Sequence, residues 1–258
     1  MAEPELLLVV DFDGTVYRGD GPVRYYARRL AAQMAPDAGE SMLAAFERYL
    51  AQGVRAADAS DDTVEAAALR DSYDAWGAAW NLAWRVYKVP YDAVADIFVQ
   101  TRAYMNDPAC ELEPATALLD ALTKVRALGR VHTVLATNSP AEGLPELLDR
   151  MGVAGHFDEL AMGLGKPDGL RRYLRHALGE DLRRRPWRAF SLGDHYRNEI
   201  EPAAEIGAGS GYIDRFGRAD GPATAAAPAV EGVLPVLLAW ADDPHAVLAH
   251  RASGPAPN

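Results

Sequence analysis

Glu5-Leu6-Leu7-Leu8-Val9-Val10-Asp11-Phe12-Asp13-Gly14-Thr15 is the stretch on which the fold turns. Leu6 to Val10 are apolar without a break and run straight into Asp-x-Asp-Gly-Thr. A short apolar run closed by Asp and Gly predicts a strand buried on both faces, as in parallel sheets. Ligands of open α/β sheets gather at the carboxyl ends of the strands, where Asp11 and Asp13 stand. In an extended run the two side chains share a face. Two carboxylates so placed repel unless a divalent cation lies between them or one takes a proton. Hard oxygen ligands favour Mg²⁺. Gly14 permits a turn that a side chain would hinder.

Beyond this stretch, 258 residues, about half of them apolar, suffice for one large domain or for a core with an insert. The net charge of −11 argues against nucleic acid or an anionic membrane as the main partner. A phosphorylated substrate would need a local positive site and a metal. The single cysteine, Cys110, excludes an internal disulfide and fits a reducing compartment. The N-terminal apolar run is too short for a signal peptide or a membrane span, so the expectation is a soluble, cytoplasmic protein.

From Val23 to about Asn106 the pattern is helical. Helices are expected over Val23–Met34 and Ser41–Ala51, then one long helix from Asp62 to Tyr87, then Tyr91–Tyr104. The long helix would carry Tyr73, Trp76, Trp80, Trp84 and Tyr87 on one face, as bundle core or with its end lining a substrate pocket. In the second case Arg70, Arg85, Lys88 and Arg102 would be available for a charged group. After Glu113-Pro114 strands and helices alternate. Strands are expected at Val131–Ala136, Phe157–Met162, Trp187–Leu192 and Ser210–Ile213, with a loop over Ala219–Ala229 and a disordered tail over Gly254–Asn258. The fold class expected is therefore α/β: a Rossmann-like parallel sheet with helices on both faces, interrupted by an all-helical insert. Residues 1–18 and 112–258 would form the core and residues 19–111 the insert.

Four strand ends offer polar groups: Asp11 and Asp13, Thr137 and Asn138, Lys166, and Asp194 with Glu199. Their segments resemble the four motifs of the haloacid dehalogenase-like (HAD) superfamily of phosphohydrolases. Asp11-Phe12-Asp13-Gly14-Thr15 resembles the first motif, Thr137-Asn138 the second, Lys166-Pro167 the third, and Gly193-Asp194-His195-Tyr196-Arg197-Asn198-Glu199 the fourth. They occur in the family's order. The resemblance implies Asp11 as nucleophile, forming an aspartyl-phosphate, and Asp13 as general acid and then base. It implies Thr137, Asn138 and Lys166 as phosphate-binding groups. Mg²⁺ is expected on Asp11, the Asp13 carbonyl, Asp194 and Glu199, the last directly or through water.

Glu199 departs from the Asp common at that position, and His195 stands where small residues are usual. The roughly 120 residues between Thr15 and Thr137 resemble a long helical cap of the C1 arrangement. The function expected is Mg²⁺-dependent hydrolysis of a small phosphorylated metabolite by a monomer or homodimer, with no nucleic acid or membrane partner. Two alternatives stand beside it: a phosphomutase or phosphotransferase, in which a substrate hydroxyl replaces water, and a non-catalytic binding protein on the same scaffold.

Overall fold

The structure is a computed structural model and describes residues 5–249. The tail expected to be disordered lies outside the described residues. The chain divides into two compact units, Met1–Arg18 with Glu113–Asp214 and Ala219–Asn258, and Gly19–Leu112 with Arg215–Arg218.

The first unit is built on β1 (Leu6–Val10), β4 (Val131–Ala136), β5 (Glu159–Ala161), β6 (Ala189–Gly193), β7 (Gly209–Ile213) and β8 (Ala225–Ala227), with the two-residue strands β2 (Tyr17–Arg18) and β3 (Glu113–Pro114) forming a separate antiparallel ribbon. The six main strands pair in parallel in the order β5-β4-β1-β6-β7-β8. All five residues of β1 are buried, each contributing about 1.5–3 kcal/mol of burial. Leu7 and Val9 pack with Val134, Leu170 and Leu174 beneath the helix Asp168–Leu178. On the other side the helix Thr116–Ala127 packs against β4 and the helix Leu234–Asp242 against β7. From β1 the chain runs outward one way to β4 and β5 and the other way to β6, β7 and β8. The reversal falls between β1 and β6, where the Asp11 N–H still bonds the Leu192 carbonyl at 2.9 Å. Such a switch point opens a crevice at the carboxyl ends of the strands.

β8 lies inside the span expected to be a loop. Three alanines carry no β-branched signal; they form a strand because Gly211 to Ile213 give them a ladder.

The second unit is helical. It contains α1 (Gly21–Ala31), α2 (Pro36–Gln52), α3 (Val64–Arg70), α4 (Ala75–Asn81) and α5 (Tyr91–Met105). Pro36 opens α2 at its first turn, where a proline costs no hydrogen bond. The long helix expected over residues 62–87 is instead α3, a break, α4 and a π-helical turn over Leu82–Val86. The apolar period continues across the break, but one side chain, Asp74, restarts the chain locally. Thr63 Oγ1 accepts the Ala66 N–H at 3.2 Å and Asp74 Oδ1 the Gly77 N–H at 2.6 Å, each capping a new helix. The core holds Tyr26, Leu30, Met42, Phe46, Tyr49 and Leu82. Of the expected aromatic stripe, Trp76 packs on Tyr26 and Phe98, Trp80 packs edge-on to Tyr91, and Trp84 is 46% exposed. Arg102 lies over the Trp76 and Phe98 rings, Arg70 donates to the Asp58 and Asp61 carbonyls, Arg85 pairs with Asp71, and Lys88 donates to the Arg85 carbonyl.

The expected core span includes residues 215–218, but these join the helical unit. Arg215 makes a two-pronged pair with Asp20 at 2.7 and 2.8 Å. The Phe216 ring lies 4.8 Å from that of Tyr49, and the Phe216 carbonyl accepts the Val54 N–H. Arg218 donates to the Arg70 and Ser72 carbonyls and covers the Tyr73 ring at 4.3 Å. These partners are distant in sequence, so no local pattern announces them.

Candidate active site at the carboxyl ends of the strands

The site is assembled from four turns of the first unit. After Val10 the chain leaves the sheet and turns, the Thr15 and Val16 N–H groups bonding the Phe12 carbonyl. Gly14 takes φ +78°, and an added Cβ would lie 2.0 Å from Asp194 Oδ2, so only glycine lets the two turns close on each other. In this turn each of the two carboxylates has its own hydrogen-bond partners, while Asp13 still raises the Asp11 pKa through its charge.

Asp11 is buried. Its Oδ1 accepts a 2.6 Å bond from Lys166 Nζ, and its Oδ2 a longer one, 3.3 Å, from the Thr15 hydroxyl. Lys166 is 2% exposed along its side chain and also reaches Glu199 Oε1 at 2.6 Å and the Ala136 carbonyl at 2.9 Å. All three ammonium protons are thus spent on oxygens, as a buried cation requires. Glu199 in turn accepts the His195 N–H at 2.9 Å through Oε2. Gly193 makes room for it, since a Cβ there would press on Glu199 Cγ at 2.5 Å.

Two carboxylates around one ammonium leave the cluster short of positive charge. Burial pushes the Asp11 carboxyl up to about 7; Lys166 pulls against this, while Glu199 and Asp13 add to it. Burial works against the charge on Lys166 as well, yet Asp11 and Glu199 hold its pKa above the ordinary value, so it stays protonated.

Asp13 is held on both oxygens: Tyr17 Oη donates to Oδ1 at 2.7 Å and Ser139 Oγ to Oδ2 at 3.0 Å. Thr137 sits at the end of β4 and its Oγ1 accepts the Ser139 N–H at 3.0 Å, leaving the hydroxyl proton to be donated. Asn138 braces Lys166: Oδ1 accepts the Lys166 N–H at 2.6 Å and Nδ2 donates to its carbonyl at 3.3 Å. The Lys166–Pro167 peptide is cis. His195 Nδ1 accepts the Asn198 N–H at the start of the turn over Tyr196–Ile200.

The structure therefore joins Asp11, Lys166 and Glu199 in one ionic cluster, with Asn138 bonded to Lys166, Asp13 and Thr137 both bonded to Ser139, and Asp194 lying against Gly14. Among the described residues no three His, Cys, Asp or Glu side chains converge on a metal position. Asp13 accepts bonds from two hydroxyls, and Glu199 accepts one from Lys166 and one from the His195 N–H. Sequence reasoning missed Thr15, Tyr17 and Ser139. Ser139 directly follows Thr137-Asn138, and Tyr17 lies four residues beyond Asp13; a search for donors near each carboxylate would have flagged both. No helix among the described residues is long and apolar enough to cross a membrane.

No family model matches the chain, and no curated protein matches it. Solved structures do. YfnB from Bacillus subtilis, named as a HAD-hydrolase and bound to magnesium, aligns with a TM-score of 0.57 at 12% identity over 91% of this chain and 99% of its own. A predicted phosphoglycolate phosphatase from Haemophilus somnus gives 0.57 at 15% identity, over 92% and 99%. A HAD family hydrolase from Deinococcus radiodurans, with bound phosphate and sodium, gives 0.54 at 15% identity, over 93% and 98%.

Proposed function

We propose that this chain, which has the capped fold of the HAD-superfamily hydrolases, is a Mg²⁺-dependent phosphohydrolase that cleaves a small phosphate monoester through an aspartyl-phosphate on Asp11. One observation carries the reading. A buried Asp at the end of the central strand has one oxygen fixed by a buried lysine at 2.6 Å and the other only lightly held at 3.3 Å. That is the arrangement of a carboxylate aimed for attack, with a cation beside the charge that develops.

Asp11 Oδ2 attacks phosphorus in line, the P–O bond to the leaving group breaks, and Asp13 gives the departing oxygen a proton. Water then attacks the phosphorus of the aspartyl-phosphate while Asp13 takes its proton, releasing inorganic phosphate and restoring Asp11. The Thr137 hydroxyl holds a phosphoryl oxygen, Lys166 keeps its positive charge beside the phosphoryl group and Asp11, and Asn138 keeps Lys166 in place. The donor set suits a hard cation: the Asp11 and Asp194 carboxylates and the Asp13 carbonyl are all oxygen. Magnesium there would neutralise charge on the phosphoryl group and on the buried Asp11 carboxylate, whose pKa is raised first by burial and then by Glu199 and Asp13. Glu199 serves mainly as the anchor of Lys166, because direct ligation would draw it away from that bond. The substrate class is a phosphorylated metabolite.

The test is hydrolysis of p-nitrophenyl phosphate with Mg²⁺, with excess EDTA, and with Mg²⁺ restored. Turnover should vanish and return. Undiminished turnover in EDTA would refute the metal-dependent mechanism, and no turnover in any arm would refute the phosphatase reading.

A further inference from the structure

We infer that Tyr17 and Ser139 are positioning residues that aim the Asp13 carboxyl at the leaving group and then at the attacking water; this rests on the phosphatase reading above. The two hydroxyls come from different segments, Tyr17 from β2 and Ser139 from the turn after β4, and they take one carboxylate oxygen each. Both donors are themselves fixed. Tyr17 is 5% exposed, packs edge-on to Phe12 with ring centres 5.3 Å apart, and is paired through its main chain with Pro114. Ser139 is 2% exposed; its N–H is bonded to Thr137 Oγ1 and its carbonyl accepts the Gly163 N–H at 2.8 Å.

An aspartate in a turn has two freely rotating side-chain bonds, and general acid–base catalysis needs its oxygen within hydrogen-bond reach of one particular atom. Donors on both oxygens remove that freedom before substrate arrives. Hydroxyls suit the task better than a lysine or arginine, because a hydroxyl can give a hydrogen bond or take one. The contact can therefore persist when Asp13 carries a proton and when it has passed the proton on. Ser139 also ties the general acid to Thr137, which holds the phosphoryl group, so acid and phosphate are referenced to one turn.

The experiment is a double-mutant cycle read on two substrates. Tyr17→Phe keeps the ring and its packing on Phe12 and deletes only the hydroxyl. Ser139→Ala deletes the second donor, and Ser139→Thr puts a hydroxyl back. Each is measured alone and combined with Asp13→Asn, using p-nitrophenyl phosphate, whose leaving group needs little protonation, and 2-glycerophosphate, whose leaving group needs it. Tyr17→Phe and Ser139→Ala should each lower kcat on 2-glycerophosphate roughly tenfold, the scale of one lost hydrogen bond to a charged group. Formation of the acid-quenched aspartyl-phosphate from p-nitrophenyl phosphate should change less than about threefold. In the Asp13→Asn background neither substitution should lower kcat further, and Ser139→Thr should recover most of the loss. Equal losses in the rate of aspartyl-phosphate formation from both substrates, or losses that multiply with Asp13→Asn, would mean that the hydroxyls serve the fold rather than Asp13. Wild-type turnover with a multiplicative cycle overturns the positioning role alone; absence of wild-type turnover overturns the phosphatase reading and this role with it.

Discussion

The strand ends and the helical unit solve opposite problems. At the strand ends, ionised groups are buried and must be satisfied one bond at a time: Lys166 alone makes three contacts, two of them at 2.6 Å. In the helical unit the interior is apolar and aromatic, and its ion pairs, such as Arg24–Glu47 and Arg48–Glu65, stand at the surface. Interchange of one apolar residue for another in the bundle is a matter of volume, whereas removing one partner from the ionic cluster strands a buried charge. The first region fixes atoms and the second fixes a shape, so chemistry should be intolerant at the strand ends and stability should be graded in the helices.

Substitutions can break or sharpen that contrast. On the proposed mechanism Asp11→Asn should abolish turnover, by roughly 10⁴-fold or more, since it removes the proposed nucleophile. Intact-protein mass spectrometry after acid quench should find phosphate on wild type and none on this variant; phosphate trapped on the variant would move the nucleophile elsewhere. Lys166→Ala should lower kcat by about 10²- to 10³-fold, the scale of losing an electrostatic stabiliser. Near-normal kcat would place Lys166 outside the chemistry. In the helical unit, Phe216→Ala should cost about 3 kcal/mol through the cavity left beside Tyr49. Denaturant unfolding measures this, and a loss below about 0.5 kcal/mol would show that Phe216 is dispensable to the bundle. The smallest effect is expected for Asp74→Ala, which removes the cap on the Gly77 N–H and should cost about 1 kcal/mol with no change in kcat on p-nitrophenyl phosphate.

What the sequence made legible follows the same division. Apolar runs ending in Asp, Asn or Gly identify strands and their polar ends together, because a parallel strand is buried on both faces and stops where polarity returns. Asp11, Thr137 and Asp194 were readable in that way. The partners of those residues were not, since the Lys166–Glu199 pair and the Ser139–Asp13 bond join turns that only the sheet brings together. In the helices the apolar period hid the break between Arg70 and Ala75, for the period continues while a single aspartate restarts the helix. β8 was invisible because alanine favours no strand and its neighbour β7 supplied the ladder.

The tetrapeptide Arg215–Arg218 has a consequence for modularity. A block inserted between residues 18 and 113 would ordinarily be a cassette that gene fusion or excision could exchange whole. Here the cassette has a detached piece, encoded about a hundred residues downstream of its second boundary. Deleting the insert leaves Phe216 stripped of its apolar surroundings and Arg215 of its carboxylate. Transplanting the insert into another scaffold leaves the socket for Phe216 open. A graft that is to stay folded must therefore carry two segments of chain, and substitutions in either have to be chosen together with those in the other.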